Sequence, residues 1–488
     1  MKLKHLFFAL IILVVGCQQK VGSDLAQITD YEQAQEQLQE QDQQQGETPE
    51  TEVIIPEEPG DEEEGIVGRT ESSENGEEGD DSSDANDTGF AGDEETPDAM
   101  PSSRLQPADL EYLGAFRVPG PEDRDWGWVA HGMTYYPKGD PIGTNDGYPG
   151  SLYSFGHAQQ VYVTEINIPR PVISPTKNIN DLPVATTLQR FRDVGISRYP
   201  DLIYDVVHVG MSYLPAQGRQ TTDKLYLCYG FHSASQPQYS HLASELNLTN
   251  PNLSGSWQIG DVDPYSTTDY MFDIPGSWAD TYVNGRKLAT GRFRDGGQGG
   301  QGPTIIAVAP WKDAADGNLP PANTKLNATT LLLYSSTYSE DPTDYKMNNY
   351  SAADDWQGAA WITAGDKAAV IFAGTKGLGN YWYGTSRRPC PEACGPEQGF
   401  WADRFQGQII FYDPADLAKV AQGAMHAYEP QPYAALPVDN YLFRSFGVQE
   451  KEHVGAIAFD RERGYLYLVE PRAELESKPI IHVWKITS

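Results

Sequence analysis

The sequence predicts an all-β protein, a β-propeller of four-stranded antiparallel blades. Three observations carry this expectation. First, one hairpin pattern recurs. Residues 130–157 read A-H-G-M-T-Y-Y-P, a Gly/Pro/Asp turn stretch, then S-L-Y-S-F-G-H. Residues 208–232 read H-V-G-M-S-Y-L-P and then K-L-Y-L-C-Y-G-F-H, and residues 453–470 read H-V-G-A-I-A-F-D and then G-Y-L-Y-L-V-E. Degenerate copies occupy residues 270–292 and 358–376. Second, the last unit is one strand short while a lone strand, L-E-Y-L-G-A-F-R-V, precedes the first. A propeller closes by letting the first strand complete the last blade, so that no sheet edge stays open. Third, turn residues are abundant and long helical periodicities are missing; residues 414–424 alone read as a short helix. Five blades are detectable, each spanning about 75 residues, a length that leaves room for as many as seven. A large β-sandwich is the runner-up, and the shared order G-M-x-Y-x-P then L-Y speaks against it.

The chain divides into three parts. Residues 1–17 read as a lipoprotein signal peptide: a basic start, ten apolar residues from Leu6 to Val15, and V-V-G-C, with Cys17 as the lipidation site. Ten apolar residues fall short of the ~20 that span a bilayer; the alternative is a short membrane anchor. Both readings place the protein outside the cytoplasm, as an outer-membrane lipoprotein or secreted. Residues 18–100 read as a disordered acidic linker, since residues 21–100 hold 27 acidic residues against one Arg and almost no aromatics. Residues 101–488 are the propeller. Of the net charge of −34, the linker carries most. Such a tether repels itself and holds the domain off an anionic surface. Nucleic acid is not an expected partner; the membrane is expected only through the lipid, and the chain is expected to be a monomer.

Further strands are expected at residues 160–169, 185–193, 241–248, 254–259, 304–311, 329–336, 407–413 and 480–486, with an insertion at 377–406. Cys228, in L-Y-L-C-Y, reads as core. Cys390 and Cys394 close a small disulfide loop or supply half of a metal site. No cofactor is required for the expected function; a structural zinc or calcium is the ion left open.

Strands A and B of a blade run antiparallel, so the start of A and the end of B share one face and converge on the channel. The A starts are His131, His208, Tyr270, Trp361 and His453. The B ends are His157, Tyr229 with His232, Arg292 with Arg294, Lys376, and Glu470 with Arg472. This imidazole-rich and basic rim suits an anionic ligand, because Arg grips carboxylate or sulfate bidentately. A propeller histidine can equally cap a strand or bond the neighbouring blade. The glycine loop G-R-F-R-D-G-G-Q-G-G-Q-G-P is no phosphate loop; its glycines let a ligand approach the backbone or let the loop move, with Asp295 holding Arg292 or Arg294. Tyr381, Trp382, Tyr383, Arg387 and Arg388 in the insertion suit a charged sugar, or pack under a long loop.

His, Tyr and Arg without a marked acidic pair suit β-elimination from a uronate polysaccharide: a cation neutralises the carboxylate, one group removes the C5 proton and another protonates the leaving oxygen. The placement of His131, His157, Tyr270 and Arg292 resembles the propeller-type ulvan lyases of marine bacteria. The resemblance implies that His131 and His157 flank the uronate, one as base, that Tyr270 is the catalytic tyrosine, with Tyr229 its rival, and that Arg292 is the carboxylate neutraliser. Those enzymes have seven blades. His208, Tyr229, His232, Arg294, Lys376, Trp361 and His453 complete the expected substrate-binding rim. G-R-F-R-D-G-G with Y-D-P-A-D-L-A is similar to a broad group of uncharacterised secreted bacterial propellers. The function expected is a polysaccharide lyase on a sulfated, ulvan-like anionic polysaccharide. The alternatives are a glycoside hydrolase, with carboxylates drawn from Asp205, Asp295, Glu452 and Glu470, and a non-catalytic glycan-binding lipoprotein.

Overall fold

A computed structural model describes residues 101–487, except 121–125, 130, 141, 201, 203–207, 233–237, 294, 314–317, 338–344, 385–398 and 448. The leader, Cys17 and the linker lie outside these residues, as do Arg294, Arg387, Arg388, Cys390, Cys394 and Asp205.

Five small sheets make five blades. From inside outwards, blade 1 is Met133–Tyr136, Ser151–Phe155, Val163–Asn167 and Thr187–Arg192. Blade 2 is His208–Leu214, Lys224–Gly230, His241–Ser244 and Ser254–Ile259, with Thr324–Leu326 added in parallel. Blade 3 is Tyr270–Asp273, Leu288–Gly291, Ile305–Val308 and Ala328–Leu332. Blade 4 is Asp355–Ala364, Lys367–Gly384, Gly399–Tyr412 and Ala434–Pro437. Blade 5 is Ile457–Asp460, Tyr465–Glu470, Ile480–Ile486 and, outermost, Leu110–Arg117 from the other end of the domain. Each inner strand packs against the next, and that of blade 5 against that of blade 1, so the ring is closed.

Blades stack face to face, so their middle strands are buried on both sides and read as apolar runs rather than as alternation. Lys224–Gly230 is an example. Leu225, Leu227 and Tyr229 face blade 1, while Tyr226 and Cys228 face blade 3. One apolar cluster fills each gap between neighbouring blades. Burial raises the Cys228 thiol, which stays free in the gap between blades 2 and 3.

The closing strand is pinned by a bulge at Gly114, where φ is +117° and a Cβ would lie 2.3 Å from the Val172 carbonyl carbon. Only glycine fits both demands. Ala115 can then pair with Val172 of blade 1, which ties the last blade to the first.

Two elements differ from the sequence expectation. In the described parts of the insertion, 377–384 and 399–406, the two middle strands of blade 4 continue, paired from Val370↔Tyr412 out to Gly384↔Gly399. They form an arm that runs past the place where the inner strand stops, at Asp355↔Thr375. The connection inside blade 3 holds a helix, Gly276–Tyr282, whose Trp278 packs 4.6 Å from Trp361.

Candidate functional site

The end of the channel where inner strands begin collects groups from several blades. Gly132, at φ +61°, turns the chain into blade 1 against the Phe155 ring and leaves His131 just above the inner strand. His208 opens the inner strand of blade 2, and His232 follows the strand paired to it. Asp269 precedes the inner strand of blade 3 and is held by the Gly291 carbonyl. Asp269 accepts from His208 Nδ1. A carboxylate on Nδ1 keeps the proton there and leaves the lone pair on Nε2. That Nε2 lies 3.3 Å from His232 Nδ1, and the two rings stack at 5.6 Å. His131 stands edge-on to His208 at 6.2 Å. Its Nδ1 is buried without a partner among the described residues. Burial lowers the pKa of His131; Asp269 opposes that and Arg292 adds to it.

Arg292 is 1% exposed. Its Nη1 donates to the Phe231 carbonyl at 2.8 Å and its Nη2 to that of His232 at 3.3 Å. It therefore grips the backbone that carries His232 and sits under the site, not in reach of a substrate carboxylate. The role of neutraliser expected for it does not fit this placement.

Blade 4 adds a carboxylate that the sequence had not marked, Asp355, and blade 5 one that it had named for hydrolysis, Glu452. Asp355 opens the inner strand of blade 4 and takes a hydrogen bond from Gln357 Nε2 at 2.8 Å. Burial, then the like charges of Asp269 and Glu452, push its carboxyl up to about 7, against Lys451 and the Gln357 bond. Glu452 pairs with Arg472 at 2.6 Å, and the Arg472 guanidinium lies over Trp128. Lys451 Nζ sits 3.9 Å above the Trp401 ring.

The other expected residues are placed elsewhere. Tyr270 is 3% exposed, turned into the gap between blades 3 and 4, and its hydroxyl both donates to the Thr304 carbonyl and accepts from the Thr304 N–H. Tyr229 is wholly buried, with its hydroxyl on the Val194 carbonyl. Neither can act on a ligand at the channel end, which corrects both expectations. Trp361 lies inside its strand, in the same gap as Tyr270. The strand starts at Asp355, and a register shift between Trp356 and Gly358 hides that start. Lys376 is buried on Asp354 at 2.6 Å. Asp354, pushed up by burial, is drawn down by that lysine and settles at about 6. His453 is 2% exposed and occupied by Asp439 and the Glu450 carbonyl. Glu470 is buried on His482 and the Phe443 and Arg444 N–H groups, an anchor for that segment. The described contacts of His157 are local: its Nδ1 accepts from the Gln159 N–H, and burial lowers its pKa.

The glycine loop of blade 3 admits protein, not ligand. A Cβ at Gly296 would meet Phe400 of the arm at 2.4 Å, and one at Gly299 the Tyr265 carbonyl oxygen at 2.0 Å.

The face that holds the imidazole cluster also carries exposed aromatics. Trp128, Tyr162, Tyr239, Tyr381 and Tyr383 are the exposed aromatic side chains among the described residues. Trp128 precedes an inner strand, Tyr162 and Tyr239 follow the strand next to one, and Tyr381 and Tyr383 lie in the part of Lys367–Gly384 that runs past the inner strand, hence all on the same face as His131 and His208. A cavity of about 1630 Å³ opens at the opposite end, and each Arg and Lys lining it is paired with a carboxylate, as Arg461 is with Asp273 at 2.7 Å. Among the described residues no three His, Cys, Asp or Glu side chains are placed to hold a metal ion.

No protein-family model matches this chain, and no curated protein matches it. Among solved structures, the chain is similar to the β-propeller domain of Cps50 (Swd1) from Myceliophteria thermophila, at 10% identity and a TM-score of 0.26, over 69% of this chain and 67% of that one. The assignment of five blades here rests on the sheet order of the chain itself.

Proposed function

We propose that the protein is an extracytoplasmic polysaccharide lyase that cleaves a uronate-containing, ulvan-like polysaccharide by β-elimination. The observation that carries this reading is the His208–Asp269 pair, with His131 and His232 beside it, on a face that also carries five exposed aromatics. Flat rings stack on sugar faces, and a carboxylate-oriented imidazole is a suitable base. His208 Nε2 takes the C5 proton, the electron pair forms the C4–C5 double bond, and the C4–O bond breaks. Arg472 and Lys451, on the far side of the same end, are the cations that could offset the uronate charge, in place of Arg292. The reaction as written needs no cofactor. Lipidation at Cys17, attachment through that lipid alone and a monomeric state belong to the same proposal, as does a structural ion, either a zinc with Cys390 and Cys394 among its ligands or a calcium.

Incubation of residues 101–488 with ulvan, alginate and pectate, followed near 235 nm, tests it, since an unsaturated uronate absorbs there. A glycoside hydrolase is the second reading, favoured by the raised carboxyl of Asp355 near Glu452. New reducing ends with a flat 235 nm trace would select it. Retention of the protein on a polymer gel, with neither signal, would leave a glycan-binding protein.

A further inference from the structure

We infer that Asp355 is the proton donor to the leaving oxygen, the acid opposite the His208 base. The inference rests on the proposal that this face cleaves a glycan. It holds for elimination and hydrolysis alike, because both must protonate the departing sugar.

The geometry supplies three reasons. Asp355 opens an inner strand, the same position in blade 4 that His208 holds in blade 2. It is partly buried and keeps some contact with solvent at the channel end. One oxygen is fixed by Gln357, and the charges acting on the carboxyl are Asp269, Glu452 and Lys451, two of them like charges. A carboxyl so placed keeps its proton near neutrality, where a neighbouring imidazole can be unprotonated. Asp269 links the two groups: it orients His208 and raises Asp355. In the step, the leaving oxygen takes the proton from Asp355 as the C4–O bond breaks. His208 ends as imidazolium and Asp355 as carboxylate, so charge is conserved, and proton return through water resets the pair.

Two readouts test this. Carbon-13 labelling of aspartate in the full chain should show one carboxyl titrating near pH 7, absent in Asp355→Asn. On ulvan, Asp355→Asn should lower kcat by about 100-fold and abolish the alkaline limb of the pH profile. Gln357→Leu removes a bond that favours the ionised form, so it should move that limb to higher pH while the melting temperature reports an intact fold. A neutral titration that survives in Asp355→Asn, or an unchanged alkaline limb, overturns the inference while cleavage persists. Absence of cleavage on every polymer tried sinks the functional reading, and the donor role with it.

Discussion

His208 and His241 show how one residue type serves two ends. His241 is 2% exposed and bonds hydroxyls at both nitrogens, Ser240 Oγ at 2.9 Å and Thr290 Oγ1 at 2.8 Å. Burial pushes its pKa down to about 3. The unfolded chain, titrating near 6.5, therefore binds a proton that the folded chain refuses between about pH 3 and 6.5, and stability falls as pH drops through that window. Unfolding free energies from urea titrations at pH 6.5 and pH 5 should differ by about 2 kcal/mol more in the wild type than in His241→Gln. His208 instead faces a carboxylate and keeps 13% of its side chain exposed. Asp269→Asn should lower turnover on a cleaved polymer by about 100-fold with little change in melting temperature, because it spoils the orientation of His208. Lys376 belongs with His241 as a structural group. Lys376→Met leaves the buried Asp354 carboxyl without its cation, held among the described residues only by the Ser351 and Gly377 N–H groups, and should cost about 3 kcal/mol in chemical denaturation, with no specific effect on substrate affinity.

At the scale of elements, the closing strand and the arm of blade 4 do different work. Leu110–Arg117 is paired along its whole length with Ile480–Ile486. A chain that begins at residue 119 exposes that edge, and it should be recovered as aggregate rather than as a cooperative, monomeric fold in size-exclusion chromatography. The arm presents Tyr381 and Tyr383 and seats Phe400 on Gly296. Replacing both tyrosines by Ala should weaken retention in an affinity gel containing the polymer. The circular-dichroism melt should be unchanged, because these side chains are exposed.

For the whole molecule, the ring of inner strands sets what can meet. It brings Asp269, His208 and Asp355 together from blades 3, 2 and 4 and sends Tyr270 and Trp361 into a shared gap. The five blades described are built from strands within residues 103–486. Residues 101–488 alone should therefore melt within a degree or two of the mature chain, measured by calorimetry at matched ionic strength.

The sequence by itself determined the class of fold and its closure. Hairpin repeats, turn residues and a spare first strand are local or end-of-chain signals, and they fix which segments pair. It also marked His131, His208 and His232, because the ends of strands are legible as positions. Tertiary structure decided which way each side chain turns. Side chains alternate along a strand with period two, so one residue of register, or one bulge, moves a group from the channel to the gap between blades. That is why Tyr270 and Tyr229, at marked positions, are core, and why Asp355 was hidden behind the shift at Trp356. Arg292 was in the right place, but the backbone of blade 2, remote in sequence, took its guanidinium. Sequence order fixes which strands are neighbours; only the packed ring fixes what each end of a strand meets.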